Sequence, residues 1–151
     1  MIHSNHGGET VAATTLDRPY RVPHPLHISL VVSTVPLFLG SLLSDLAYGS
    51  TFQVQWKNFA SWLIVGGLVL AGLALLWAVV DTLRADSRAD WRRWLHPFLV
   101  LATFAIGFIN ALIHARDGWG SMPAGAVLSF IALALAVAAV WSAFSGRRVQ
   151  P

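Results

Sequence analysis

Four apolar stretches, residues 26–48, 59–80, 97–115 and 123–144, constrain this chain more than any other feature. Each has roughly 19–23 residues, enough to cross about 30 Å of hydrocarbon at about 1.5 Å per residue. Lipid offers the backbone no hydrogen bonds, so a spanning segment must satisfy its own amides as a helix or close into a barrel. The stretches lack the alternation of barrel strands, which leaves helices. Composition agrees. Hydrophobic residues make up 56% and charged residues 11%, against about 25% charged in a soluble domain, so most of the surface must face lipid. The predicted fold is an all-α, integral membrane four-helix bundle with four transmembrane helices. Its parts are a polar amino-terminal segment, 1–23, the transmembrane domain, 24–146, and a short tail, 147–151. The first 25 residues contain no signal-peptide h-region, so the first span is expected to act as its own uncleaved anchor. Pro25, Pro97 and Pro123 are expected in or beside first turns, where a missing N–H costs little, whereas Pro36 falls inside the first span and predicts a kink.

Orientation follows from the basic residues. Arg18, Arg21, Arg84, Arg88, Arg92, Arg93, Arg147 and Arg148 share one side of such a bundle, and only Lys57 and Arg116 lie on the other. The positive-inside rule then places both termini and the central connection, 81–95, in the cytoplasm. Tyr48, Trp56, Trp62 and Trp119 mark the outer interface, and Trp77, Trp91, Trp94 and Trp141 the inner one, as amphipathic rings do at headgroups. The central connection alternates Arg84, Asp86, Arg88 and Asp90, a pattern that suits either a short interfacial helix or a solvated linker. Small residues recur at steps of four, three and four in the second span (Gly67, Ala71, Ala74, Ala78) and the fourth (Ala132, Ala136, Ala139, Ala143), a spacing that brings helix backbones close.

Polar residues inside spans are expensive, so each is informative. On the third span one face carries His96, Val100, Thr103, Gly107, Asn110 and His114. On the first, the same steps give His27, Val31, Thr34, Phe38, Ser41 and Asp45. The match suggests a duplicated helix hairpin, although the shared His-Pro dipeptides, His24-Pro25 and His96-Pro97, suggest an alignment shifted by three residues. The repeat predicts that His27 (or His24) faces His96 at one end of the bundle. It also predicts that Asp45 contacts His114 about 27 Å away, eighteen residues along the helix, with Asn110 beside them.

Three functions compete for this stripe. It is a set of structural interhelical hydrogen bonds, or a proton or ion path through Asp45, Asn110 and His114. Alternatively, His27 and His96 hold one b-type haem axially, with His24 as a substitute ligand. A haem would need the two imidazoles on opposite sides of one iron, with room for the ring between them. Zinc on His24, His27, His96 and Asp81 has only nonspecific spacing behind it. The absence of cysteine excludes thiolate metal sites and iron–sulfur ligation by this chain. No catalytic or nucleic-acid motif is present, so a stand-alone enzyme and a nucleic-acid partner are not expected. In the outer loop, Gly118 or Gly120 is expected to supply a positive φ and Ser121 to cap the fourth helix.

The run Asn110-Ala111-Leu112-Ile113-His114-Ala115-Arg116-Asp117-Gly118-Trp119-Gly120, then Pro123-Ala124-Gly125, resembles a bacterial membrane family. With the opening His24-Pro25-Leu26-His27, Pro36 and Asp45, it is similar to domain of unknown function 2231 from about Pro23 to Phe144. The resemblance implies a four-helix inner-membrane domain without an established activity. Some relatives are fused to Rieske iron–sulfur domains or occur beside PQQ-dependent sugar dehydrogenases, which implies a respiratory setting by association. The expected function is therefore a small subunit of the bacterial inner membrane, non-catalytic, that anchors or passes electrons from a periplasmic or membrane redox protein. Arg116 and Asp117 are its expected partner contact. A transporter-like or proton-conducting protein and a purely structural one are the alternatives.

Overall fold

The structure, a computed structural model, describes residues 24–84, 91–116 and 118–145. The expected segments 1–23 and 147–151, and Asp117, lie outside them. Four helices follow in order: α1 Pro25–Thr51, α2 Val54–Leu83, α3 Trp91–His114 and α4 Ala124–Ser145. All four are long and apolar enough to cross a membrane. α1 packs on α2 and α4, and α3 packs on the same two, so α1 and α3 stand on one diagonal of a square.

Local chemistry sets most ends. Pro25 opens α1 behind His24, whose Nδ1 accepts the Leu26 N–H at 3.3 Å. α1 stops at Phe52, which adopts a left-handed φ of 56° and donates its N–H to the Tyr48 carbonyl. That non-glycine cap leaves only Phe52 and Gln53 between α1 and α2, so α2 starts five residues before its apolar stretch. The central connection is also shorter than expected, since α2 runs on through Asp81 to Leu83 and α3 begins at Trp91. Pro97, expected near a first turn, is therefore inside α3, and Pro36 is inside α1.

The outer loop between α3 and α4 corrects two expectations. No described glycine has a positive φ. The chain turns instead through a 3-10 segment, Gly118–Ser121, and a cis Met122–Pro123 bond. Ser121 is not the cap of α4, because the cap position falls on Pro123, whose carbonyl accepts the Val127 N–H at 3.2 Å.

The packing is inside-out relative to a soluble bundle. Leu43, Leu76, Phe98, Phe130 and Trp141 point outward, while Ala60, Ala71, Ala74, Ala132, Ala136 and Ala139 are buried. Between helices in lipid there is no water to expel, so close backbone approach through small residues replaces the large-residue core.

The buried faces settle the repeat. Adding 69 to His27, Val31, Thr34, Phe38, Ser41 and Asp45 gives His96, Val100, Thr103, Gly107, Asn110 and His114. Adding 65 to the buried α2 residues Ala60, Ile64, Gly67, Ala71 and Ala74 gives Gly125, Ser129, Ala132, Ala136 and Ala139. The first hairpin is four residues longer between Asp45 and Ala60 than the second is between His114 and Gly125, and the extra length lies in helix, because α1 runs on to Thr51 and α2 starts at Val54 whereas α3 ends at His114 itself. The two hairpins are thus parallel repeats about an axis running along the bundle. The direct contact of His27 with His96 selects this register over the one shifted by three residues.

Candidate functional site

The two stripes meet on the bundle axis as two separate polar clamps. The outer clamp, at the hairpin-turn end, joins α1, α3 and α4. His114 Nε2 lies 2.8 Å from Asp45 Oδ1, with Asp45 1% exposed. His114 Nδ1 lies 3.0 Å from the Asn110 carbonyl. A carbonyl can only accept, so Nδ1 carries a proton, and one further proton sits between Nε2 and Oδ1. The pair holds that proton whether drawn as carboxylate and imidazolium or as carboxylic acid and imidazole, and its net charge is zero in both.

Ser129 on α4 organises the rest. Its hydroxyl donates to Asp45 Oδ2 at 2.6 Å. With that proton committed, Ser129 Oγ accepts from Asn110 Nδ2 at 2.8 Å and from Ser41 at 3.0 Å. Asn110 Oδ1 finds no partner among the described residues. The predicted contact of Asp45 with His114 is present, and Asn110 joins them through Ser129.

The inner clamp is smaller. His96 Nδ1 contacts Ser142 Oγ at 2.9 Å and the Ala139 carbonyl at 3.2 Å. Ser142 gives its own proton to Ala139 O, so His96 Nδ1 is the donor. In neutral rings His96 Nε2 then accepts from His27 Nε2 at 2.9 Å, which leaves His27 Nδ1 as a buried acceptor with no partner among the described residues. His24 does not join them. It is exposed at the α1 cap and its ring lies 4.9 Å from that of Trp77.

This geometry does not fit a haem between His27 and His96. Two metal–imidazole bonds of about 2 Å would hold the nitrogens about 4 Å apart, and a porphyrin would have to lie between rings whose centroids are 5.2 Å apart. The next layer is closed by Val31, Ala74, Val100 and Ala139, and the cavity there is only about 10 Å³. Nor do His24, His27, His96 and Asp81 converge on a point, as no metal-binding group of three or more ligands occurs among the described residues.

Between the clamps lies an apolar plug. Phe38 is fully buried, and its ring occupies the space that side chains at Gly67 and Gly107 would need, within 2.9 Å and 3.2 Å of their ideal Cβ positions. Thr34 and Thr103 turn their hydroxyls back to the carbonyls of Val31 and Leu99 in their own helices, so neither bridges the gap.

The equivalent positions differ in complementary ways. Phe38 faces Gly107, and Asp45 faces His114. Where the smaller Asp45 has Ala60 on its own hairpin, the larger His114 has Gly125, at which a Cβ would sit 2.8 Å from His114 Cε1. Ser129 replaces Ile64 and supplies the third arm of the clamp. Sequence reasoning missed Ser129, Ser142 and Gly125. The signal for Ser129 was a lone hydroxyl on the small-residue face of α4, one step outward from Ala132. Arg116 is exposed, and its backbone carbonyl accepts from Lys57 Nζ at 2.6 Å.

Comparison with known proteins gives one match. A family model described as "Predicted membrane protein (DUF2231)" matches residues 23–149, which include all four helices. No curated protein and no solved structure matches the chain.

Proposed function

We propose, for a chain that belongs to the DUF2231 family of predicted membrane proteins, the role of a rigid, non-catalytic, non-conducting membrane subunit that anchors a partner at its hairpin-turn face. The observation that carries this reading is the closure of the interior. The stripe residues pair off into two clamps, and the Phe38 layer separates them. A bundle so filled has no axial passage, and its interior polar groups hold helices together. The eight-to-two distribution of Lys and Arg supports a bacterial inner-membrane protein with its chain ends in the cytoplasm and its hairpin turns in the periplasm. On that face Arg116 is exposed, with Lys57 tied to its carbonyl. Electron transfer by this chain itself is not part of the proposal, because the histidine pair does not fit haem as arranged.

A photoreactive amino acid at Arg116 or Ser50 is expected to give a discrete protein adduct in intact cells, and one at Trp94 to give none. Adducts to lipid alone would overturn the anchoring role. The second reading, a proton path, is favoured by the proton that Asp45 and His114 share. It requires flux through the Phe38 layer. In liposomes holding a potassium potential and a pH dye, the protein is expected to leak no faster than empty vesicles. A leak abolished by Asp45→Asn would establish the path instead.

A further inference from the structure

The inner clamp has a chemistry that the anchoring role leaves unused. Both ends of the bundle join α1 directly to α3, but with different partners. At the outer end an acid meets a base, and at the inner end a base meets a base. A hydrogen bond between two imidazole nitrogens holds a single proton. With His96 Nδ1 committed as a donor towards α4, the joined pair carries two protons on its four ring nitrogens and is neutral.

A third proton has one place to go. Wherever the bridging proton sits between the two Nε2 atoms, the nitrogen left over is His27 Nδ1. That atom is buried and has no partner among the described residues. The repeat explains why. Subtracting 65 from Ala139 and Ser142, the two residues that receive His96 Nδ1, gives Ala74 and Trp77. Trp77 carries no hydroxyl and its ring lies against that of His24, and no bond forms from His27 Nδ1 to Ala74. A proton there is a buried charge on an N–H without an acceptor, which is costly. The surroundings offset little of that cost. α2 brings Asp81, which is exposed and therefore screened by water. α3 brings His96, itself a competitor for the charge, and α4 brings the uncharged Ala139 and Ser142. On α1 the neighbouring His24 is exposed. A fourth proton would put hydrogens on both Nε2 atoms, 2.9 Å apart, and would replace the bond by repulsion.

We infer that the His27–His96 contact is an acid-released latch: joined, the rings stay neutral, and a fall in pH on the side of the chain ends protonates both as they part, freeing the inner ends of α1 and α3. The outer clamp does not answer the same signal. Asp45 and His114 share a proton in place, and apart they would hold the same number between about pH 4 and about pH 6.5, as carboxylate and imidazolium. Release is therefore confined to one end, and it does not depend on whether a partner docks at the other.

The test uses the full-length protein in nanodiscs and pulsed electron paramagnetic resonance between nitroxide labels. The chain has no cysteine, so two label pairs report the two ends separately. Ser29→Cys with Phe98→Cys reports the inner end, and Leu43→Cys with Leu112→Cys the outer one. All four positions are exposed and are equivalent in the repeat, 69 residues apart. Free imidazoles take up their protons near about pH 6.5. Below about pH 6 the parted pair holds two more protons than the joined pair, so the ratio of parted to joined molecules is expected to rise toward a hundredfold per pH unit. The inner labels should show this as a growing longer distance, while the outer labels stay unchanged. His96→Gln offers His27 Nε2 an amide oxygen and takes no proton, so its slope should fall to about tenfold per pH unit or less. An inner distance indifferent to pH from about pH 7 to about pH 5 would overturn the inference. So would a wild-type slope of only about tenfold, which would mean that the joined pair takes a proton, an equal slope in His96→Gln, or outer labels that move together with the inner ones. The wild-type series needs only the labels, so it decides the matter even if His96→Gln does not fold.

Discussion

Removing the Asp45 side chain tests the outer clamp most directly. Asp45→Ala deletes two interhelical hydrogen bonds, to His114 and to Ser129. Ser129 can redirect its hydroxyl to Ser41, 3.0 Å away. His114 Nε2 has no such recourse. Interhelical hydrogen bonds in membranes average about 0.6 kcal/mol with a maximum near about 1.7 kcal/mol, so the two bonds together account for about 1–3 kcal/mol. The stranded imidazole nitrogen adds about 1–3 kcal/mol. The values of about 3–5 kcal/mol for breaking buried pairs in soluble proteins are a ceiling, because the separated helices also keep Asp45 out of water. The expected loss is therefore about 2–5 kcal/mol. A double-mutant cycle with His114→Ala isolates the pair and is expected to give a coupling of about 1–2 kcal/mol. Reversible unfolding by SDS in mixed micelles, followed by tryptophan fluorescence, measures both quantities. A coupling below about 0.3 kcal/mol, within the usual error of additivity, would refute the clamp as a stabilising element.

Other expectations follow from the same geometry. Gly125→Ala should destabilise by about 1–3 kcal/mol through overpacking against His114. In a His114→Ala background the same change should be neutral or stabilising by up to about 1 kcal/mol, since Ala then contributes only its helix propensity. Phe38→Ala should cost about 2 kcal/mol in the same SDS assay, because lipid removes the transfer contribution and leaves mainly the cavity; a loss under about 0.5 kcal/mol would mean that the plug is not tightly packed. A cytoplasm-active reporter after Val149 and a periplasm-active one near Ser50 should both function, and the reverse pattern would overturn the orientation. Protein purified from cells grown with ample haem should show no α-band in its reduced-minus-oxidised spectrum, and a band lost in His96→Ala would restore the haem reading.

The fold was legible because a hydrocarbon solvent permits few answers. Length and apolarity locate α1 to α4, and the spacing of His27, Thr34, Ser41 and Asp45 against their counterparts sets His27 level with His96 and Asp45 level with His114. What stayed hidden depended on three-dimensional detail within a turn. The steps of 3.6 residues could place His27 level with His96, but they could not distinguish direct contact from the wider separation an iron needs. The αL cap at Phe52 defies the preference for glycine at such positions, so the first turn is shorter than the apolar stretches imply. The turn after His114 was assigned to glycines because no sequence rule announces a 3-10 segment followed by a cis Met122–Pro123 bond. Ser129 lies outside the polar stripes of α1 and α3, yet from α4 it reaches the same axis.

The approximate two-fold also limits what an ancestor of this chain could have been. Two identical copies of one hairpin, paired about the same axis, would set like against like, so neither an aspartate opposite a histidine nor a phenylalanine opposite a glycine could occur between them. Once both hairpins belong to a single polypeptide, the two sides are free to drift apart, and an acid can acquire a base, a ring a hollow and His114 a glycine to lie upon. At the inner end histidine still faces histidine, and each end leaves one buried atom without a partner among the described residues, His27 Nδ1 at the inner and Asn110 Oδ1 at the outer. The acid–base pair of the outer end is one that two identical hairpins could not make.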